Sequence, residues 1–325
     1  MDSSSHVDVV WMVLLLTITG LILGWIIRQG WHHRSFWNAI PLRQTPLQPL
    51  DIVIAWCILC LGALFAQPIL NHWNLLAPPT SVPTTSPASA PAPSTQTTDE
   101  RQIAPVSQPA TESAEDLFTS SQQAARALIH QSCTLFPIVI YILFRLRQSP
   151  NGLFAFGLLP HQRWYREISI GLFALLLAIP CLWTVNVAVS LLSHWIGQAP
   201  PVVGHELLKA FTQSPPALAM AGFLVSSLVL APFFEEILFR GLLQSACLPI
   251  AFFQQNRPIL ITLNAVLFAA VHAGSVTWQA YPPLFLLGLT LGWLYERYQS
   301  LWPCIICHAL FNGLNILMTL YLLDV

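Results

Sequence analysis

Residues 231–244 read APFFEEILFRGLLQ, which sets two glutamates and an arginine inside an otherwise apolar run. A charge at the centre of a bilayer costs roughly 2.5–3.5 kcal/mol on insertion scales. A helix that carries three such groups must pair them, use them, or both. Helical spacing divides the roles. Glu236 and Arg240 are four apart, so they share a face and can neutralise each other. Glu235 lies about 100° round the helix from Glu236 and about 140° from Arg240, away from that pair. One glutamate is accounted for by an ion pair, and the other is left for chemistry.

The chain around this stretch is built for lipid. It has 325 residues, 55% hydrophobic and only 8% charged, with a mean hydropathy of +0.62. Soluble domains carry about 25% charged residues. The formal net charge of −1 gives no basic field for nucleic acid. The expected fold is all-α, a polytopic membrane bundle of about eight transmembrane helices. Apolar runs of spanning length begin near residues 8, 50, 126, 168, 217, 258, 283 and 302. Proline opens several of them, as a first helical turn permits. The first run is expected to remain as an anchor, because MDSSSHVD places acid rather than Lys or Arg before it.

This pattern divides the chain into four parts: two helices over 1–76, a linker over 77–115, helices three and four over 116–214, and a four-helix core over 215–325. Residues 77–98, APPTSVPTTSPASAPAPSTQTT, hold no charge and no aromatic ring. Such a segment cannot bury enough apolar surface to fold and is expected to be a disordered spacer. Positive charge predicts the orientation. Arg28, Arg34, Arg43, Arg145, Arg147, Arg163, Arg166, Arg257 and Arg297 fall in loops on one side if all eight runs cross. Arg101 and Lys209 fall on the other. An integral membrane protein with both termini on the non-cytoplasmic side accounts for the bias. The pairs Cys57/Cys60 and Cys304/Cys307 have C-x-x-C spacing but lie in apolar runs, where cysteine serves as a small apolar residue.

The remaining polar groups at membrane depth lie in the last third of the chain. Phe268 and His272 are four apart in NAVLFAAVHAG, and His308 and Asn312 are four apart in PCIICHALFNG. A lone intramembrane histidine usually serves packing, and an asparagine often ties helices together. A spare carboxylate, two imidazoles and an amide gathered in one short region make a candidate polar site. Counting 1.5 Å per residue from the turn between runs five and six puts Glu235 and His272 at one depth, about 20 Å from it. His308, about 9 Å from the start of its run, fits that level less well.

These residues resemble the signature of the CAAX-protease and bacteriocin-processing (CPBP) intramembrane endopeptidases, the family of the Ras-converting CAAX endopeptidase. Its three parts, E-E-x-x-x-R, F-x-x-x-H and H-x-x-x-N, occur in order as EEILFR at 235–240, FAAVH at 268–272 and HALFN at 308–312. The likeness covers about residues 215–320 and leaves 1–115 outside. It implies a helical bundle around a conical cavity and hydrolysis of a peptide bond in a membrane-associated substrate. It implies Glu235 as general base, His272 as the residue that holds and polarises water, and His308 with Asn312 at the oxyanion. Glu236, Arg240 and Phe268 would support them. No cofactor is implied.

Two other readings use the same residues. Glu235, His272 and His308 are acceptable zinc ligands, so a zinc metallopeptidase is the chemical alternative. A non-catalytic membrane protein, an immunity or scaffolding factor, is the functional one. Serine-elbow and HExxH signatures are absent.

Overall fold

The computed structural model describes residues 17–18, 46–72, 114–160, 163–198 and 217–322. Most of the first apolar run, Arg28, Arg34, Arg43, Arg101, Lys209 and nearly all of the expected spacer lie outside these residues. The described residues are mostly helical and contain no strand.

Helix α1 spans Pro49–His72 and α2 spans Ala114–Arg147. Helix α2 begins two residues inside the segment read as spacer. A short α3, Gly152–Phe156, leads into α4, Trp164–Trp195. The fifth rod, α5, runs without a break through Ala217–Val225, Ser226–Leu230, Ala231–Glu236, Ile237–Gln244 and Ser245–Cys247. Its Ser226–Leu230 and Ile237–Gln244 turns are π-helical. Then come α6, Ala251–Gln255, α7, Arg257–Ala270, α8, Tyr281–Tyr298, and α9, Trp302–Leu322.

Among the described residues, four helices are long and apolar enough to cross a bilayer: Pro49–His72, Trp164–Trp195, Met220–Cys247 and Trp302–Tyr321. Large apolar side chains on them face outward, Phe65 on α1 at 68% exposure and Phe173 on α4 at 62%. A soluble surface would not hold such a density of exposed rings, whereas lipid tails solvate them. The chain is an integral membrane protein. Helix α7 has only 14 residues, about 21 Å of rise against a hydrocarbon core of about 30 Å.

The main core joins α5, α7, α8 and α9 and reaches α1, α2 and α4 through Ala55, Ile138 and Ala174. Leu287, Leu291 and Tyr295 on α8 are fully buried, as are Phe268 on α7 and Cys304 and Cys307 on α9. None of the seven cysteines is in a disulfide. Gly288 and Gly292 let α8 approach α7: a Cβ at Gly288 would come 3.0 Å from Ala265, and one at Gly292 2.9 Å from Ile261. Two polar links hold the periphery. Asp51, buried at the start of α1, accepts from Arg145 Nε at 2.7 Å and from the Tyr141 hydroxyl on α2. The loop after α3 docks on α8 and α9, with the Tyr295 hydroxyl donating to Phe156 O at 2.9 Å, Leu301 N to Gly157 O at 3.0 Å, and Trp302 Nε1 to Leu158 O at 2.8 Å. This docking brings the α2–α4 connection, with Arg145, Arg147 and Arg163, to the same end of the bundle as Arg297.

The same docking makes Gly241 a sensitive position. A Cβ there would lie 2.2 Å from the ring of the fully buried Phe156. Gly241→Ala is expected to destabilise the fold by about 1–3 kcal/mol, the usual cost of overpacking. A lowered thermal unfolding midpoint in detergent would register it; an unchanged midpoint would show that the loop yields freely.

Candidate active site

Helix α5 positions three of the charged groups. Glu236 and Arg240 are both 0% exposed, and Arg240 Nη1 donates to Glu236 Oε1 at 3.0 Å. The ion pair expected from their spacing is formed. Arg240 Nη2 also donates to Gly288 O at 3.2 Å, a carbonyl left open by the missing side chain of α8. Its guanidinium lies over the Phe268 ring, 4.5 Å from the centroid, a stabilising cation–π arrangement.

His308 on α9 bridges the two glutamates. Its Nδ1 is 2.8 Å from Glu236 Oε1. A carboxylate only accepts, so Nδ1 carries a proton and Nε2 is the opposite end of the ring. That Nε2 lies 3.8 Å from Glu235 Oε2.

His272 does not lie within a helix, as the apolar run suggested. Helix α7 ends at Ala270, and His272 sits in the turn beyond, before Gly274 at φ +88°. The last carbonyls of a helix find no donor within it and take partners from the turn beyond. His272 Nδ1, 2.8 Å from Phe268 O, satisfies one of them and so carries the proton. Its Nε2 lies 3.9 Å from Glu235 Oε2. The Phe268 ring meets both imidazoles edge-on, at 5.2 Å for His272 and 5.6 Å for His308. The expected level placement of Glu235 and His272 holds, and His308 joins them.

Glu235 is thus set apart. Its side chain is 24% exposed, yet Oε2 is buried without a hydrogen-bond partner. Two imidazole nitrogens face it from beyond hydrogen-bond reach. Asn312, one turn after His308, gives one amide N–H to Ser227 O at 2.9 Å and keeps a second. Its amide is anchored to α5 rather than to Glu235.

Zinc fits this set poorly. Ligands at about 2.0–2.1 Å round a tetrahedral zinc lie about 3.3–3.4 Å apart, whereas Glu235 Oε2 is 3.9 Å from His272 Nε2 and 3.8 Å from His308 Nε2. Among the described residues no group of three His, Cys, Asp or Glu is spaced to hold a metal ion.

A second buried polar group went unread in the sequence. Gln244 Nε2 donates to Gly292 O at 3.1 Å and to Glu296 Oε1 at 2.9 Å, and Asn264 Nδ2 donates to Gln244 Oε1 at 3.2 Å. Arg257 closes the group, 3.6 Å from Glu296. The signal was present: Glu236, Arg240 and Gln244 repeat every four residues along one face of α5. The group ties α5 to α7 and α8 below the candidate site.

Residues 217–314 match the family model described as type II CAAX prenyl endopeptidase, Rce1-like. No curated protein and no solved structure matches the chain.

Proposed function

We propose, taking the match of residues 217–314 as premise, that the chain is an intramembrane endopeptidase in which Glu235 activates water. One observation carries the reading: the buried, unpartnered Oε2 of Glu235 faces Nε2 of both His272 and His308 at 3.9 and 3.8 Å. A water oxygen at about 2.8 Å from each of two such atoms spans a gap of that size.

Glu235 takes a proton from that water as it attacks the peptide carbonyl. His272, its ring fixed by the Phe268 carbonyl, holds the water. His308 and Asn312 face the developing oxyanion, His308 through Nε2 when that nitrogen is protonated. Glu236 fixes the ring of His308 and sets a carboxylate behind it. Donors preset for an oxyanion each contribute on the order of 3 kcal/mol. Arg240 balances Glu236.

We further read the bundle as crossing eight times, with both termini on the non-cytoplasmic side and a conical cavity leading to Glu235. The substrate is a peptide or protein held at the membrane. Proteome-wide mapping of new termini in cells carrying the native chain or Glu235→Gln tests this directly. Membrane-protein termini that appear only with the native chain support it; identical sets of termini overturn it.

A metal readout separates this mechanism from the zinc alternative. Purified protein is expected to hold zinc well below one equivalent and to keep its turnover in EDTA. Stoichiometric zinc whose removal abolishes hydrolysis would replace the glutamate mechanism by a metal one.

A further inference from the structure

We infer that Pro232 is a positioning residue for the candidate site, acting through a backbone carbonyl that it sets free. The inference rests on the endopeptidase reading for its effect on turnover, but the structural device stands apart from it.

Helix α5 loosens to π geometry at Ser226–Leu230, one turn before the glutamates. There the Ala231 N–H donates to Ser226 O, five residues back. In an α-helix that N–H would serve Ser227 O, four residues back. The next residue able to serve Ser227 in the π register is residue 232, which is proline and has no N–H. The Ser227 carbonyl therefore lacks both of its ordinary backbone donors. It is taken instead by Asn312 Nδ2 of α9, at 2.9 Å.

The sequence thus builds a chain of consequence. Proline at 232 removes a donor, the helix shifts register, and the freed carbonyl captures the amide four residues after His308. One N–H of Asn312 is fixed on α5, so the direction of the other is fixed as well. The bond also ties α9 to α5 two turns from Glu235, which holds His308 against both glutamates. π-Turns of this kind occur frequently at functional sites.

Pro232→Ala supplies the missing donor and is expected to return the turn to α-helical bonding. A structure of this variant should show Asn312 Nδ2 more than about 3.5 Å from Ser227 O, beyond hydrogen-bond reach. Retention of the π turn and of that bond would overturn the inference whatever the enzyme's substrate.

The kinetic arm uses a synthetic farnesyl-cysteine CAAX peptide with purified protein in proteoliposomes. Pro232→Ala should lower kcat roughly tenfold or more, since small misplacements of reacting groups are costly. KM should stay within about twofold, and the unfolding midpoint should be unchanged or raised, because alanine favours a helix interior. In an Asn312→Ala background the same change should cost nothing further, as two residues acting through one bond are not additive. An undiminished kcat, or an equal loss in both backgrounds, would overturn it. If the native chain and Glu235→Gln leave this peptide equally intact, the choice of substrate fails, and the structural arm still decides the role of Pro232.

Discussion

Glu235→Gln is expected to lower peptide hydrolysis by about 10²–10⁴-fold, the usual contribution of a positioned general base, with no loss of folded protein. The change is isosteric and removes only the ability to take a proton. Nothing structural hangs on the atom concerned, since Glu235 Oε2 has no hydrogen-bond partner. Substitutions away from packing and polar networks usually shift stability by less than about 0.5 kcal/mol. An unchanged unfolding midpoint with turnover near background is therefore the expected pair of results. The contrast with the neighbouring residue sharpens the test. Glu236 accepts from Arg240 and His308, so Glu236→Gln should lower stability as well as rate. Turnover of Glu235→Gln equal to that of the native chain would end the glutamate mechanism. A matched loss of midpoint and rate would move Glu235 into the structural class.

The division of labour between the two glutamates was legible because it needs only helical geometry. Four residues separate Glu236 from Arg240, and a membrane interior penalises any other arrangement. The motif spacing placed His308 and Asn312 on one helix. Depth was harder. Counting from the start of its run set His308 too shallow. Two contacts to α8 correct this: Cys304 Sγ to Leu291 O at 3.4 Å, and Arg240 Nη2 to Gly288 O at 3.2 Å. These set α9 and α5 within one turn of each other along α8, which brings His308 beside Glu236. Such offsets depend on helix packing and leave no mark on hydropathy. The position of His272 was misread for a related reason. Val271 extends the apolar run beyond the point where the backbone stops being helical, and only Gly274 hints at the end. The π turns had a cue in Pro232, but a proline alone does not say whether a helix kinks, ends or shifts register.

The buried pair is expected to give the largest effect on stability. Arg240→Met keeps much of the side-chain volume but leaves Glu236, at 0% exposure, without its arginine and bonded to His308 Nδ1. Removing one member of a buried ion pair typically costs about 3–5 kcal/mol, because the other charge stays buried and uncompensated. The change also removes the cation from the Phe268 ring and a donor from Gly288 O. Arg240→Met is therefore expected to unfold or fail to accumulate at temperatures where the native chain is stable. The double variant Glu236→Gln/Arg240→Met tests the cause. Removing both charges avoids the stranded carboxylate, so it should recover most of the lost stability, as replaced ion pairs often do. It should remain slow, because a neutral amide at 236 still accepts from His308 Nδ1 but sets no carboxylate behind the ring that faces the oxyanion. Unfolding midpoints and initial rates on the four proteins of this cycle separate the two roles. A double variant as unstable as Arg240→Met would show that the arginine holds α5 to α8 and the Phe268 ring rather than balancing Glu236. One that recovers full turnover would show that His308 needs no charge behind it.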